Sequence, residues 1–317
     1  MIQYRTFRNT DPPRLAEIWR SQGAARRGLM QPMSTAVFEH FVLAKPYFEP
    51  AGLIVATQDE TPIGFAHAGF GPTEDESELS TELGVTCQVV LADAEPQGEV
   101  SGELLTRCEE FLRGRGAKVL YGGSLRPLNP FYLGLYGGSE LPGVLDSDQA
   151  TQQLFRDHSY REIDRSVLFE RELQGFRPPV DRTQMLIRRS TSFTAVPDPP
   201  PRTWWEACTL SGFDRLRFEL VDRASGRELA QATFRNMEPM SAGWGVPTMG
   251  LVELEVHSDR RRQGLATYVL GESFRALQAQ GIARVQVQTM RRNTAARALY
   301  AKLGFEQIDE GAVFRKE

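Results

Sequence analysis

The residues best suited to chemistry lie near the C-terminus, where three consecutive arginines lead into a turn that reads Arg260, Arg261, Arg262, Gln263, Gly264, Leu265 and Ala266. Gly264 and Ala266 remove side-chain bulk just before a helical pattern, so the first N–H groups of that helix can face outward without an internal partner. Those N–H groups and the helix dipole favour a phosphate, and the arginines add mobile positive charge. The turn therefore predicts an anion site, although it is neither Gly-Lys-Ser/Thr nor Gly-x-Gly-x-x-Gly.

The elements that would position this turn follow a simple order. Residues 251–256 alternate apolar and charged side chains and predict a strand. An amphipathic helix is expected over residues 267–280, a second strand over 284–290 and a final helix over 293–305. The order is therefore strand, turn, helix, strand, helix, with the anion site between the first strand and the first helix.

These residues resemble a known family. Arg261-x-x-Gly264-x-Ala266 after a strand, followed by Asn293 and by the ending Leu299-Tyr300-x-x-Leu303-Gly304-Phe305, is similar to the GNAT N-acetyltransferases. The resemblance implies that acetyl-CoA binds here as co-substrate, without a metal, and that its pyrophosphate lies on the backbone of residues 263–266. The cofactor contacts that it implies are Leu254, Val256, Arg261, Arg262, Gln263, Gly264, Leu265, Ala266, Asn293 and Tyr300.

The resemblance also implies the catalytic groups. Acetyl transfer to an amine needs a base for the amine proton, donors for the developing oxyanion and a proton for the departing thiolate. Glu253 and Glu255 lie two apart on a strand and so share a face; one or both would accept the proton, with Glu253 the first choice. Tyr300 would be the acid. The alternatives are solvent-facing charges for the glutamates, a core aromatic for Tyr300 and a helix N-cap for Asn293. His257 is expected at the surface, with a role as base the alternative.

Composition limits the class of protein. The length of 317 residues predicts two domains, and a net charge of −4 argues against nucleic-acid binding. Three separated cysteines indicate reduced thiols, and four histidines outside metal-ligand spacing make a structural metal unexpected. The N-terminus lacks a signal pattern, and no apolar run reaches membrane-spanning length. We therefore expect a soluble, cytoplasmic protein.

The first half of the chain repeats the order of elements in the second half. One constant shift, without a gap, aligns four positions in the order Gln97, Gly102, Asn129 and Tyr136 with Arg261, Ala266, Asn293 and Tyr300. Residues 159–164 match 304–309 at a smaller shift, so the first copy has extra residues around 137–155. The predicted fold class is α/β (α+β), with two tandem GNAT-like domains that each have a mixed, largely antiparallel sheet flanked by helices. Their predicted bounds are 1–171 and 184–317, with a linker over 172–183 and the acetyl-CoA site in the second.

The two copies differ where the chemistry would occur. The alignment places Val100 on Gly264 and puts Gln97-Gly98-Glu99 in place of Arg261-Arg262-Gln263. Val89 and Leu91 stand at the positions of the two glutamates, so the N-terminal copy is expected to have lost productive acetyl-CoA binding. Asn129 and Tyr136 would then support local structure.

The sequence leaves the structural role of three further segments undecided. The Gly- and aromatic-rich residues 127–143 are either a packed connection or a wall of a substrate pocket. The Trp pair at 204 and 205 favours a core or interface position, and residues 22–50 are expected to be helical in part.

These observations predict a direct-attack transfer of acetyl from acetyl-CoA to a primary amine of a small molecule in the C-terminal domain. Mycothiol-type and aminoglycoside-type acceptors remain open. The alternatives are a protein N-terminal or lysine acetyltransferase, and an acetyl-CoA-binding module without turnover. The expected partner is the amine substrate, with no nucleic acid and no membrane, and the protein would be a monomer or homodimer.

Overall fold

The computed structural model describes residues 1–22, 32–92 and 97–317. The helices in this part of the chain are α1 (Pro12–Ser21), α2 (Thr35–Phe38), α3 (Gln97–Gly114), α4 (Gln149–Asp157), α5 (Arg182–Ser190), α6 (Trp204–Leu210), α7 (Glu238–Trp244), α8 (Leu265–Ala279) and α9 (Thr294–Lys302). A π-helical turn covers Glu39–Leu43, and 3-10 turns cover Pro50–Gly52 and Ser258–Arg260. The segment 22–50 is thus helical in part, and its residues 23–31 lie outside the described residues.

The strands are β1 (Ile2–Thr6), β2 (Leu53–Gln58), β3 (Thr61–Pro72), β4 (Leu79–Leu91), β5 (Val119–Gly122), β6 (Val144–Leu145), β7 (Arg161–Glu172), β8 (Thr191–Pro197), β9 (Arg215–Asp222), β10 (Glu228–Asn236), β11 (Thr248–Val256), β12 (Arg284–Met290) and β13 (Glu306–Lys316). The chain divides into two compact units. The first contains Met1–Ser166, Pro201–Gly212 and Asp309–Glu317, and the second contains Val167–Pro200 and Phe213–Ile308. The predicted bounds, 1–171 and 184–317, describe copies along the chain and remain a prediction.

In the first unit the strand order is β1-β2-β3-β4-β5-β13. The β4–β5 pair is parallel, and β1–β2, β2–β3, β3–β4 and β5–β13 are antiparallel. Apolar side chains of α3, including Leu104, Leu105 and Leu112, pack with strand residues in one core. Because these leucines recur at helical spacing, α3 buries one face and leaves the other to solvent.

The second unit has the strand order β7-β12-β11-β10-β9-β8, with β11–β12 parallel and the β8–β9, β9–β10 and β10–β11 pairs antiparallel. Helix α8 covers one face of this sheet and buries Val269, Leu270, Phe274 and Leu277 in the core of the unit. The opposite face of the sheet carries the polar side chains that alternate with the core residues along each strand.

The sheet pairing gives the structural alignment of the two copies. The parallel pair joins 83–86 to 119–122 in the first unit and 248–251 to 284–287 in the second, so that Leu83 corresponds to Thr248 and Val119 to Arg284. The sequence alignment instead places Gly84 on Thr248 and is therefore wrong by one position in this region.

This correction changes the residues that face the predicted site. Glu99, and not Val100, stands at the position of Gly264, and Val100 is buried in the core of the first unit as Leu265 is in that of the second. Gln88 and Val90, and not Val89 and Leu91, correspond to Glu253 and Glu255. The conclusion that the first copy lacks both glutamates still holds with the corrected positions.

The helix that follows the parallel strand pair in each copy aligns at a different shift from the strands. Helices α4 and α9 have nine residues each, and each follows a capping side chain, Asp148 in the first copy and Asn293 in the second. Asp148 therefore corresponds to Asn293, and Phe155 corresponds to Tyr300. The predicted equivalents Asn129 and Tyr136 are wrong, because the extra residues of the first copy come before its helix. Residues 123–148 separate the parallel strand pair from α4, whereas only residues 288–293 do so before α9.

Asn129 and Tyr136 lie within that extra segment and have structural roles in the first unit. The indole N–H of Trp205 donates to Asn129 Oδ1 at 3.2 Å, and the Leu145 N–H donates to Tyr136 Oη at 2.9 Å. Nearly all of residues 127–143 are buried, so the segment is a packed connection. Trp205 is buried in the first unit, as expected for a core position, while Trp204 is partly exposed.

Candidate active site

The second unit has an opening in its sheet beside β11. The β10–β11 register passes from Thr233 opposite Glu253 to Phe234 opposite Leu251, so Val252 is a bulged residue. The parallel β11–β12 pairing ends at Leu251 and Val287, although both strands continue for several residues. Since a bulge bends its strand and redirects the residues after it, the edge of β11 beyond Val252 parts from β12.

Both predicted glutamates project from β11 just after this bulge. Glu253 Oε2 accepts a hydrogen bond from Thr233 Oγ1 at 3.2 Å, and Glu255 Oε2 accepts one from Gln231 Nε2 at 2.7 Å. The partners are directly opposite on β10, so the two carboxylates share the polar face of the sheet. Glu253 is half-buried and Glu255 is exposed. Their shared face was expected; which of them is a base remains a prediction.

Three residues of this polar face were not identified from the sequence. Thr233 and Gln231 lie opposite the glutamates, and Arg217 of β9 donates from Nε to Thr233 Oγ1 at 3.4 Å. Polar and apolar residues alternate within residues 215–222 and 228–236, which indicates that these strands have a polar face. Only the strand register shows that this polar face is shared with β11. Arg217, Thr233 and Glu253 thus form one cross-strand row.

The anion turn begins α8, as the glycine pattern predicts. Gly264 is the N-cap residue with φ +84°, which favours glycine. A Cβ at this position would also lie 3.1 Å from Gln184 Nε2 and 3.2 Å from Thr183 Cγ2, both in α5. Gln184 Nε2 donates to the Gly264 carbonyl at 3.5 Å. Helix α5 therefore supports the turn. The backbone conformation at Gly264 disfavours any other residue, and a Cβ there would need the side chains of Gln184 and Thr183 to move slightly.

The arginines of the turn are partly ordered by the turn itself. Arg260 Nε donates to Gln263 Oε1 at 3.1 Å, and Arg261 Nε donates to the Val256 carbonyl at 3.3 Å. Arg261 and Arg262 are exposed, so their guanidinium groups are accessible to an anion. Their charge lies next to the first N–H groups of α8, which is the arrangement that binds phosphates.

His257 lies on the surface, as expected. Its Nδ1 is 2.6 Å from Asp259 Oδ1, and Arg227 pairs with the same carboxylate at 3.0 Å. Burial alone would raise the pKa of Asp259, but hydrogen bonds from His257 and Arg227 outweigh it and hold the pKa below its usual range. These contacts make His257 part of a surface ion cluster.

The structure places Tyr300 and Asn293 in roles that the sequence left as alternatives. The Tyr300 side chain is 5% exposed, and its ring centroid lies 5.8 Å from Phe169 and 5.5 Å from Phe305 within the core. Asn293 Oδ1 accepts from the Ala296 N–H at 3.1 Å and caps α9. These contacts account for both residues structurally, and their cofactor and proton-donor roles remain predictions.

Three residues predicted to contact the cofactor, Leu254, Val256 and Leu265, also pack in or against the apolar core. Leu254 and Val256 are half-buried and pack against the apolar core, while Leu265 is fully within it. Contact with a cofactor would therefore use their backbone groups. Ala266 lies half-buried in the first turn of α8.

Within residues 1–22, 32–92 and 97–317, no group of three or more His, Cys, Asp or Glu side chains is arranged to hold a metal ion. Cys87, Cys108 and Cys208 are free thiols. None of the helices that the structure describes is long and apolar enough to cross a membrane.

Comparison with known proteins identifies the domain that carries this site. A family model described as the acetyltransferase (GNAT) family matches residues 187–305. The chain is similar to a tandem GNAT protein from the clavulanic acid biosynthesis pathway, with 14% identity, a TM-score of 0.69 and coverage of 100% of this chain and 98% of that one. A GCN5-related N-acetyltransferase from Sphaerobacter thermophilus gives 14% identity, a TM-score of 0.64 and coverage of 100% and 95%.

A glucosamine N-acetyltransferase region of a fungal multidomain β-N-acetylglucosaminidase gives 13% identity, a TM-score of 0.74 and coverage of 100% of this chain and 38% of that one. A search of curated proteins found no match. Residues 187–305 are therefore a GNAT acetyltransferase domain, and the chain as a whole has the tandem GNAT fold. The predicted family resemblance and fold class are confirmed.

Proposed function

We propose that the chain transfers an acetyl group from acetyl-CoA to a primary amine of a small molecule, and that the reaction occurs in the second copy. The observation that carries this proposal is the position of the sheet opening. Strand β11 parts from β12 after the bulge at Val252 and then leads directly into the anion turn at Gly264. One continuous segment thus combines an open strand edge, two carboxylates and a phosphate site.

The segment suits acetyl-CoA in two respects. The backbone N–H groups of residues 263–266 and the exposed Arg261 and Arg262 would hold the pyrophosphate. The edge of β11 at Leu254 and Val256 would pair with the amide groups of the pantetheine arm, as an added strand does. Acetyl-CoA supplies the activated acetyl thioester when bound.

Glu253 beside the opening and Tyr300 of α9 would perform the proton transfers. Glu253 would accept a proton from the ammonium group, directly or through water, so that the neutral amine attacks the carbonyl carbon. Backbone N–H groups of the β11 edge would donate to the carbonyl oxygen as it gains negative charge. Tyr300 would donate its hydroxyl proton to the sulfur as the C–S bond breaks. The acylated nitrogen would then lose its second proton, which would return to the Tyr300 phenolate through solvent, so that the products are the acetylated amine and free CoA.

A small polar amine suits the face that Glu253 occupies. Thr233, Gln231 and Arg217 lie on the same face within one or two strands of the carboxylates. Such a mixture of donors and acceptors can orient the hydroxyl, amide or carboxylate groups of a small acceptor. Mycothiol-type and aminoglycoside-type amines are therefore suitable first substrates.

The test is release of CoA from acetyl-CoA with a panel of small amines. We expect turnover with at least one amine, and about 10²- to 10⁴-fold loss of kcat for Glu253→Gln and for Tyr300→Phe. Tyr268→Phe provides the matched control, because Tyr268 is a buried tyrosine of α8 outside the proposed chemistry. Equal activity of Tyr300→Phe and wild type would remove Tyr300 from the mechanism. Acetyl-CoA binding without turnover on any amine or protein acceptor would favour a binding module.

A further inference from the structure

The first unit contains a cavity of about 510 Å³. Its walls come from the end of β4, the first turns of α3 and α4, and the loop after α4. Val89 and Leu91 line it, and in the alignment that the sheet pairing gives they correspond to Leu254 and Val256. Asp148 also lines it and corresponds to Asn293. The cavity therefore occupies, in the first copy, the place proposed for acetyl-CoA in the second, and its volume is ordinary for a small-molecule site.

The sequence that precedes α3 lacks the features that bind phosphate. In the same alignment, the three arginines at 260–262 correspond in sequence to Glu95, Pro96 and Gln97. Glu99 stands in place of Gly264 and lies exposed in the first turn of α3. A carboxylate at a helix N-terminus competes with any incoming anion for the same N–H groups and repels it. The diphosphate of a CoA molecule is therefore disfavoured.

Among the described lining residues of the cavity, the acidic groups are two carboxylates, and there is no lysine or arginine. Asp148 Oδ1 also accepts from the Thr151 N–H, and Asp157 Oδ1 accepts from Gln153 Nε2. Two carboxylates, without a lysine or arginine among the described lining residues, favour a ligand that brings N–H donors and positive charge.

We propose that this cavity binds a small organic cation with several N–H donors and no phosphate, namely a polyamine or an amino sugar. The site is for binding only. Phe155 replaces Tyr300, and Gln88 replaces Glu253, so neither the proposed acid nor the proposed base exists in the first copy. This inference does not depend on acetyl transfer in the second copy.

The experiment is calorimetric titration of spermidine and of glucosamine into the full chain and into Gly98→Trp. Gly98 lines the cavity in the first turn of α3, and a Cβ added there meets no atom within 4 Å, so a bulky indole can be placed at the cavity wall without displacing described residues. Gly114→Trp is the matched control, since Gly114 ends the same helix and is equally open. We expect binding of at least one amine to wild type and Gly114→Trp, and at least about tenfold weaker binding, or one site fewer, in Gly98→Trp.

A second pair of variants tests the charge. Asp157→Asn should weaken binding about three- to tenfold, with a smaller effect at high salt, whereas Glu110→Gln on the exposed face of α3 should leave it unchanged. Absence of binding by both amines, or binding that Gly98→Trp leaves intact, would overturn the proposal. So would acetyl-CoA binding that is lost in Gly98→Trp but kept in Gly264→Val, because the cavity would then hold the cofactor. Failure of acetyl-CoA to bind anywhere would affect only the proposed function.

Discussion

The two copies share the same strand pairing beside their clefts but carry different side chains there. In each, a parallel pair of four residues ends beside a bulge, at Cys87 in the first copy and at Val252 in the second. Yet Gly264 follows three arginines in sequence, while its equivalent Glu99 follows a segment without any, and Tyr300 is replaced by Phe155. The comparison teaches that the cleft is a property of the strand pairing, whereas the ligand is decided by a few side chains placed on it.

The largest expected effect is a loss of stability of the first unit in acid, caused by protonation of His67. His67 lies opposite Gln88 as Thr233 lies opposite Glu253, but His67 is fully buried, and burial lowers its pKa to about 3. Its Nδ1 is 3.2 Å from the Tyr132 hydroxyl, and its Nε2 has no hydrogen-bond partner among the described residues. In the unfolded chain its pKa is near 6.5, so protonation favours unfolding. Stability of the first unit is therefore present above pH 6.5 and lost as the pH falls towards 3, by roughly 4 kcal/mol.

Urea unfolding followed by tryptophan fluorescence checks this, because Trp19, Trp204 and Trp205 belong to the first unit and only Trp244 to the second. His67→Phe should flatten the pH dependence between 6.5 and 3. His257→Phe, at an exposed histidine of the second unit, should not. An equal slope in wild type and His67→Phe would show that other groups cause the acid loss.

The next effect is on acetyl-CoA affinity at the turn. Gly264→Val should weaken binding at least about 100-fold, because a β-branched residue is strained at φ +84° and its side chain meets α5. Gly281→Val at the other end of α8 is the matched control, with φ +86° and open space around its Cβ. It should lose similar backbone stability and keep the affinity. Calorimetric titration of acetyl-CoA into both variants tests this prediction. If Gly264→Val keeps its affinity for acetyl-CoA, the cofactor binds elsewhere.

A smaller effect is expected from the positive charge. Arg261→Ala should weaken acetyl-CoA binding about tenfold at low salt and less at high salt, since the guanidinium is exposed. Arg275→Ala, in α8 and paired with Glu272 at 3.6 Å, should change the affinity little. Salt-independent losses would indicate that Arg261 supports the turn through its bond to Val256 and not through charge.

The smallest effect is expected when glycine is introduced into the first copy at the position that corresponds to Gly264. Glu99→Gly, made together with Gly264→Val, should raise acetyl-CoA binding in the first copy by less than about threefold, because the three arginines have no basic equivalents there and Asp148 replaces Asn293. Titration of the double variant against Gly264→Val alone measures this. Tight acetyl-CoA binding in the double variant would mean that Glu99 alone prevents acetyl-CoA binding in the first copy.

Much of the candidate site was predictable from sequence, because its signals are local. A glycine at a helix start, arginines before it and alternation in residues 251–256 depend on neighbours within a few positions, and the order of elements follows from periodicity. The two glutamates share a face for the same reason. Local matching failed for Asn129 and Tyr136, since they repeat the spacing of Asn293 and Tyr300 without lying on the corresponding helix.

The amino-acid sequence by itself determined the family, the tandem order of elements and the glycine turn that begins α8, because each depends on short-range geometry. The tertiary structure alone decided the register that aligns the two copies, the pairing of Glu253 with Thr233 and the burial of Tyr300. It also decided that α6 and the segment Asp309–Glu317 belong to the first unit, where Phe314 pairs with Gly122. Those features depend on hydrogen bonds and packing between residues far apart in the chain, which no local pattern encodes.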